Sequence, residues 1–388
     1  MVDAIVVGAG PAGSACALRL ARAGIDVTIV ERSAFPRTKV CGEYLNLGAL
    51  AELDALDLRA VVAEGAALQG IRLFGLGLAV DLPLRSAARA MPRSVLDARL
   101  LDAARAAGAT LLHARVEDVT CDSERARIRA RDSSGEEHTL DARVVVAADG
   151  MDSIVARKCG LLAPSRGRER FAVGGHFGGF RALDRFVEMY VDRGSYFAVN
   201  PLGSGEANIM VVVAADVLST WRGAIDVRLR EAAARLSGGR RTFAGVAQIG
   251  KRVAIGPLAH RTSRLVGTHV LLVGDAGEFV DPFTGQGIFL ALAGARRASE
   301  AVIAVLRDRV DQREAFARYE TQTRHETASR RRLARTVKFV MSVPLLARRA
   351  ARNLERLPDL GPTIMDSVAG AVPAARAYAP ATLARLLA

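Results

Sequence analysis

The stretch from Asp3 to Arg32 restricts what this chain can fold into more than any other. Ala4 to Val7 is a short apolar run that reads as a buried strand, and it enters the turn Gly8-Ala-Gly10-Pro-Ala12-Gly13. A helix of small residues follows to Ala23, then Gly24, then a second apolar strand, Val27 to Val30, closed by Glu31 and Arg32. The glycines have separate tasks. Gly8 makes the tight turn, Gly10 leaves backbone bare for a pyrophosphate, and Gly13 lets helix and strand pack closely. Free N–H groups at the helix start then hold phosphate oxygens. Glu31 stands where a carboxylate accepts hydrogen bonds from a ribose. Strand, turn, helix, second strand and acid in one register predict a dinucleotide-binding βαβ unit, with Gly8, Gly10, Ala12, Gly13, Glu31 and Arg32 along the ligand.

Two further apolar runs end in the same kind of polar turn. Arg143-Val-Val-Val-Ala-Ala leads into Asp149-Gly150, and His269-Val-Leu-Leu-Val leads into Gly274-Asp275. Strands covered on both faces of a parallel sheet read this way, and ligands bind beyond their carboxyl ends. Gly285-Gln286-Gly287 opens a long helix, Gly287 to Leu306, whose free N–H groups favour an anionic edge. Arg93-Ser94-Val-Leu-Asp97 reads as another helix start, with Ser94 as N-cap and Asp97 three residues on. Strands are expected at 110–113, 116–121, 126–131 and 138–140, with a hairpin turn at Ser133-Ser-Gly135. Residues 66–84 and 171–259 read as short β segments around Gly and Pro, interrupted by one helix at 225–236. Beyond Asp311 the chain reads as helix, broken at Pro344, Pro358, Pro362, Pro373 and Pro380.

With 388 residues the chain buries enough core for two domains. No apolar run is long and charge-free enough to span a bilayer, and the N-terminus enters a strand that the fold needs. The expectation is a cytoplasmic protein, soluble or at a membrane surface, without a signal peptide. Cys16, Cys41, Cys121 and Cys159 have no paired spacing, so neither disulfides nor a metal site is indicated. The net charge of +13 comes from arginines spread along the chain, not from basic runs interleaved with aromatics. Nucleic-acid binding is therefore not expected.

Together these motifs resemble those of the FAD-dependent para-hydroxybenzoate-hydroxylase-type superfamily, and within it most closely the geranylgeranyl reductase branch. The similarity covers residues 1–310. It rests on the Gly8 turn with Glu31, Arg93 ahead of Leu96-Asp97, Ala148-Asp149-Gly150, and Gly274-Asp275-Ala276 followed by Asp281-Pro-Phe-Thr-Gly-Gln-Gly-Ile288. The resemblance implies an α/β fold with a discontinuous glutathione-reductase-like Rossmann FAD domain (1–65, 93–165 and 260–320). An inserted β-rich substrate domain (66–92 and 166–259) and a basic C-terminal helical tail (321–388) complete it. The cofactor implied is FAD, with Asp275 on the ribityl chain and Arg93 near the pyrophosphate. Asp149, Gly150, Gly274, Pro282, Gly285, Gly287 and Ile288 complete its site. NAD(P)H is the expected reductant, bound transiently because no second glycine fingerprint occurs.

In the reductase branch a Cys-Gly segment at the place of Lys39-Val-Cys41-Gly42-Glu43 lies beside the flavin ring and the substrate. Cys41 and Glu43, with Gln286 nearby, are the candidate catalytic residues. Glu43 replaces the glycine usual in those reductases. The Gly-Glu pair is also similar to flavin-dependent halogenases, whose Trp-rich motif is missing here, Trp221 being the only tryptophan. A carboxylate buried at such a place needs a partner, and Lys39, Arg37 or a substrate hydroxyl are the candidates. His176, Tyr196 and Asn200 are candidate substrate residues. The expected reaction is reduction of C=C bonds in a lipophilic isoprenoid or polyketide-like molecule. Oxygen-dependent hydroxylation or epoxidation of an aromatic or polyketide substrate, and electron carriage or redox sensing without turnover, stay open. Between Gln322 and Arg356 ten Lys and Arg mix with apolar residues, a pattern suited to peripheral contact with an anionic membrane.

Overall fold

The computed structural model describes residues 1–75, 77–164, 169–181, 183–192, 195–221, 223–241, 243–258 and 260–388. Two sheets organise the chain. The first is built on Val2–Val7, which pairs in parallel with Val27–Glu31 on one side and with the second half of Glu137–Ala147 on the other. Val7 lies opposite both Val30 and Ala147, and Leu272 of strand Val270–Leu272 lies opposite Ala147 in turn. This register brings the turns at Gly8, Asp149 and Gly274 to one carboxyl edge. Ala4, Ile5, Val6 and Val144 to Val146 have no exposed surface, which is why these runs are apolar throughout.

Thr110–Cys121 extends the sheet beyond Val27–Glu31 and then leaves it in an antiparallel meander with Ala126–Asp132 and the first half of Glu137–Ala147. The two strands expected at 110–113 and 116–121 are one, because a bulge between Val116 and Asp118 bends the strand without ending it. Helix Pro11–Arg22 packs its small residues under the sheet and against helix Gly287–Leu306. A Cβ on Gly13 would lie 1.8 Å from the Gly8 carbonyl oxygen, so only glycine fits there. Helix Arg93–Ala106 corrects the expected cap. Its N-cap is Pro92, and Ser94 lies inside the first turn.

The second sheet has eight strands, in the order Ala247–Ile255, Arg170–Gly178, Glu206–Ala214, Ser195–Gly203, Phe186–Asp192, Ala66–Gly75, Leu78–Ala90 and Tyr44–Leu45. Leu78–Ala90 outlasts the expected end at residue 84. One face stacks Tyr190 on Phe197, ring centroids 4.3 Å apart, beneath helix Ile225–Leu236. The other face meets the carboxyl edge of the first sheet.

The tail clamps the two together. Helix Gln312–Ser342 runs unbroken across residues 320 and 321, and the Tyr319 hydroxyl donates to the Leu272 carbonyl at 2.6 Å. Helices Pro344–Arg356, Leu360–Val368 and Pro380–Leu387 follow. Pro362 causes no break, because it sits in the first turn of Leu360–Val368, where a helix needs no N–H donor. Leu333 and Met365 close over Leu82 and Leu84 of the second sheet. Among the described residues no helix is long and apolar enough to cross a membrane.

Candidate functional site

Gly8, at φ +96°, turns the chain so tightly that a Cβ would lie 2.5 Å from the Ala148 carbonyl oxygen. Two guanidiniums stand over Gly10: a Cβ there would be 3.8 Å from Arg37 Nη2 and 3.9 Å from Arg93 Nη2. Buried Asp97 holds Arg93 through two bonds, of 2.6 and 2.8 Å. Burial opposes the Arg93 charge, but Asp97 outweighs it and holds the guanidinium above its ordinary pKa. Arg37 stacks on Phe35 and lies 3.3 Å from Asp97 and 3.6 Å from Glu31. Its Nε and Nη1 are nevertheless buried and without a hydrogen bond. Nη1 keeps only its ion pair to Asp97 and Nε has no partner, and buried donors left short of hydrogen bonds are costly until an anion completes them. Arg37 was not among the expected cofactor residues. The sequence offered it only as a partner for Glu43.

Several expected cofactor residues also serve the protein itself. Glu31 accepts from the N–H of Ala9 at 2.8 Å and of Ser33 at 2.9 Å. Asp149 accepts from the Ile154 N–H at 2.8 Å, while its Oδ1 is buried and unpartnered. Ala12 is buried, and a Cβ on Gly274 would touch it at 3.1 Å, so its side chain is packing and only its backbone faces the turn. Asp275 is exposed to the groove, yet the protein around it raises its carboxyl above the usual range, against the pull of Arg93 and His260. Gly42, Gly287, Pro282 and Arg32 are exposed along the same groove, and a Cβ on Gly42 or Gly287 would meet nothing within 4 Å. Gly285 takes φ +63° at the helix entrance, and Ile288 behind it is buried. Bare backbone and two cations over Gly10 offer donors for a pyrophosphate, and the Asp275 carboxylate offers an acceptor for a hydroxylated chain, so the residues fit FAD.

The loop from Lys39 to Glu43 closes the other side. Glu43 is buried at 1% exposure with φ +57°, a left-handed backbone that costs a side-chain-bearing residue about 1–2 kcal/mol. One carboxylate oxygen accepts from the Arg93 N–H at 2.8 Å and so caps that helix. The other lies 2.8 Å from His176 Nε2. The partner of Glu43 is therefore His176, not Lys39 or Arg37, because the second sheet rather than its own loop faces it. The bond to Glu43 raises the His176 pKa above the ordinary imidazole value, against partial burial. Cys41 Sγ accepts from the Glu43 N–H at 3.2 Å, and burial pushes its thiol pKa up despite Arg93, so it stays protonated at neutral pH.

The inner face of the second sheet supplies the rest. Asn200 donates to the Gly42 carbonyl at 2.8 Å, and the Tyr196 hydroxyl donates to Asp281 at 3.0 Å. Asn200 pairs with Asn208, and Asn208 with His176, so three polar side chains form one row across three strands. The Oδ1 atoms of Asn200 and Asn208 are buried without partners. Sequence reading passed over Asn208, although a lone Asn in the apolar run 207–213 was the signal. Tyr196, Met189, Met210, Val212 and Phe283 pack into an apolar patch on this face. Asp281 was also missed as a site residue. Lys338 and Arg170 bond it at 2.5 Å each, and they hold its carboxyl below the usual range although burial opposes the charge. The Gln286 side chain donates to the Val368 carbonyl at 3.0 Å, at the end of a tail helix, while its Oε1 is buried without a hydrogen bond.

A glycine turn under two arginines, a third strand end carrying Asp275 and a second sheet as roof define a dinucleotide-binding flavoprotein of the oxidoreductase class. Residues 1–332 match the FAD binding domain family, and the chain belongs to that family. It is 32% identical over 316 residues to the menaquinone reductase of Mycolicibacterium smegmatis, covering 77% of this chain and 75% of that protein. It is 28% identical over 323 residues to digeranylgeranylglycerophospholipid reductase 1 of Methanopyrus kandleri, covering 79% and 81%. Among solved structures, the flavin-dependent brominase Bmp2 shares the fold with a TM-score of 0.84 at 22% identity, over 95% of this chain and 93% of that one. Halogenase PltM in complex with phloroglucinol and FAD shares it with a TM-score of 0.78 at 17% identity, over 95% and 82%. The protein is an FAD-dependent oxidoreductase, similar to reductases of menaquinone and of digeranylgeranylglycerophospholipid.

Proposed function

We propose that this protein, reduced by transiently bound NAD(P)H, reduces a C=C bond of a lipophilic isoprenoid or polyketide-like substrate. The observation that carries this reading is the His176–Glu43 pair, set on an apolar sheet face beside the cofactor groove. Relatives named as reductases of menaquinone and of digeranylgeranylglycerophospholipid support a substrate with an isoprenoid chain.

Saturating an alkene adds a hydride to one carbon and a proton to the other. FAD, when bound, supplies the two-electron chemistry. The chain has to hold the proton, and a donor works best with a pKa near the working pH. His176 serves through Nδ1: its Nε2 is held by Glu43, whose bond raises the imidazole pKa above the ordinary value and leaves the other ring nitrogen to carry the proton to the substrate. Glu43 orients the ring and stabilises its charged form. Cys41 and Gly42 make a small, uncharged edge where a substrate chain approaches closely. The free Oδ1 atoms of Asn200 and Asn208 take the polar end of the substrate. The patch of Met189, Tyr196, Met210 and Phe283 holds hydrocarbon and excludes water.

Anaerobic turnover of a polyprenyl quinone with NAD(P)H in deuterated water tests the proposal. The product should gain the mass of H₂ in ordinary water, should carry a solvent deuteron at the protonated carbon in deuterated water, and should form with no oxygen requirement. His176→Asn should lower turnover by about 10²–10⁴-fold while NAD(P)H still bleaches the flavin at the wild-type rate. A product carrying a new oxygen atom, or turnover that stops without air, would overturn the reading.

A further inference from the structure

We infer that the elbow between helices Gln312–Ser342 and Pro344–Arg356 is a docking surface for an anionic lipid bilayer. Half of the ten cations between Gln322 and Arg356 are already engaged within the protein. Arg324 and Arg331 bind Glu278, Arg330 binds Glu326, and Lys338 binds Asp281. Arg332 lies over the Tyr378 ring. What is left is ordered. On the first helix Arg335, Phe339 and Ser342 are exposed at the spacing of one helix face. On the second, Leu345, Arg348, Arg349, Arg352 and Arg356 form the corresponding exposed stripe, with Glu355 beside it. None of these five arginines bonds a carboxylate among the described residues.

Phe339 and Leu345, at 61% and 60% exposure, flank the break at Val343, and the arginines stand behind them along each helix. Large apolar side chains on either side of the bend with cations set back along the helices match the depth profile of a bilayer, with acyl chains inside and phosphates outside. A polynucleotide or an acidic protein accounts for the cations but not for the apolar side chains. Lys338, one residue before Phe339, grips Asp281 in the loop beside the cofactor groove. Docking at the elbow would thus bring the site to the membrane. The inference needs no substrate, so its failure leaves the reaction proposed above untouched.

The test is sedimentation of the full FAD-loaded chain with vesicles of phosphatidylcholine alone or mixed with phosphatidylglycerol. Binding is expected with phosphatidylglycerol and at low salt. Phe339→Ala with Leu345→Ala should weaken partitioning about tenfold or more through lost apolar burial. Arg348→Gln with Arg349→Gln and Arg352→Gln should weaken it comparably and flatten the salt dependence. The indole introduced by Phe339→Trp should be quenched by brominated acyl chains, whereas that of Trp221 should not. Equal pelleting of wild type and the Phe339/Leu345 variant would overturn the inference. So would an unquenched indole in the Phe339→Trp variant, or binding to heparin with none to vesicles. Retained flavin absorbance verifies that each variant is folded.

Discussion

Glu43 stands in a backbone conformation made for glycine, and that strain can be measured. Glu43→Ala and Glu43→Gly both remove the bonds to Arg93 N–H and His176, so the difference between them isolates the backbone at φ +57°. The alanine variant keeps a left-handed strain of about 1–2 kcal/mol. The glycine variant relieves it but loses about 0.4–1 kcal/mol through greater freedom of the unfolded chain. The net expectation is that Glu43→Gly is more stable by about 1 kcal/mol, about a fivefold change in the folded-to-unfolded ratio. Urea unfolding with saturating FAD, followed by circular dichroism and flavin fluorescence, reads this as a higher midpoint at unchanged slope. If alanine equals or exceeds glycine, position 43 is unstrained, and the view that Glu43 is held against its own backbone preference fails. The comparison also bears on family character, since glycine is usual here in the reductases that this chain resembles.

Gly10→Val should fold yet purify without yellow colour, since its side chain meets only two guanidiniums in ordinary contact but fills the pyrophosphate space; the visible spectrum decides. Gly13→Ala, by contrast, should yield little folded protein, because its Cβ runs into the Gly8 carbonyl; soluble yield and melting report it. The His176 pKa is raised in the folded state, so its pairing with Glu43 stabilises fully below the unfolded value of about 6.5 and is lost as pH rises through the folded value. The stability gap between wild type and His176→Asn should therefore shrink from acid to alkaline pH, and a flat gap in pH-dependent melts would refute the pairing. Cys41→Ser and Glu43→Gln should keep FAD while lowering turnover about tenfold or more, measured as product formed per bound flavin.

What could be read from residue order was what local rules govern. Gly8, Gly10 and Gly13 have spacing that only a βα turn explains, and the apolar runs before Asp149 and Gly274 had to be strands buried on both faces. Their convergence followed from the topology of parallel sheets, and the belonging of Asp275 to the groove followed with it. The cap of helix Arg93–Ala106 was misread for a physical reason. Ser94 satisfies the local pattern, but a carboxylate from a distant loop already bonds the first N–H. The Gln286 amide likewise bonds a helix end far along the chain, a partner that no local rule predicts.

Tertiary structure alone decided the partners. Glu43 and His176 are 133 residues apart, and no periodicity connects a loop after one sheet to a strand of another. The row Asn200–Asn208–His176 exists only because antiparallel register sets those positions opposite each other. Arg37 over Gly10, and Lys338 on Asp281, likewise depend on how loop and tail fold back over the groove. Sequence specifies its elements through short-range sterics and hydrophobic periodicity. The partners of buried polar groups are chosen by which surfaces pack together, because each such group must find a counterpart once water is gone.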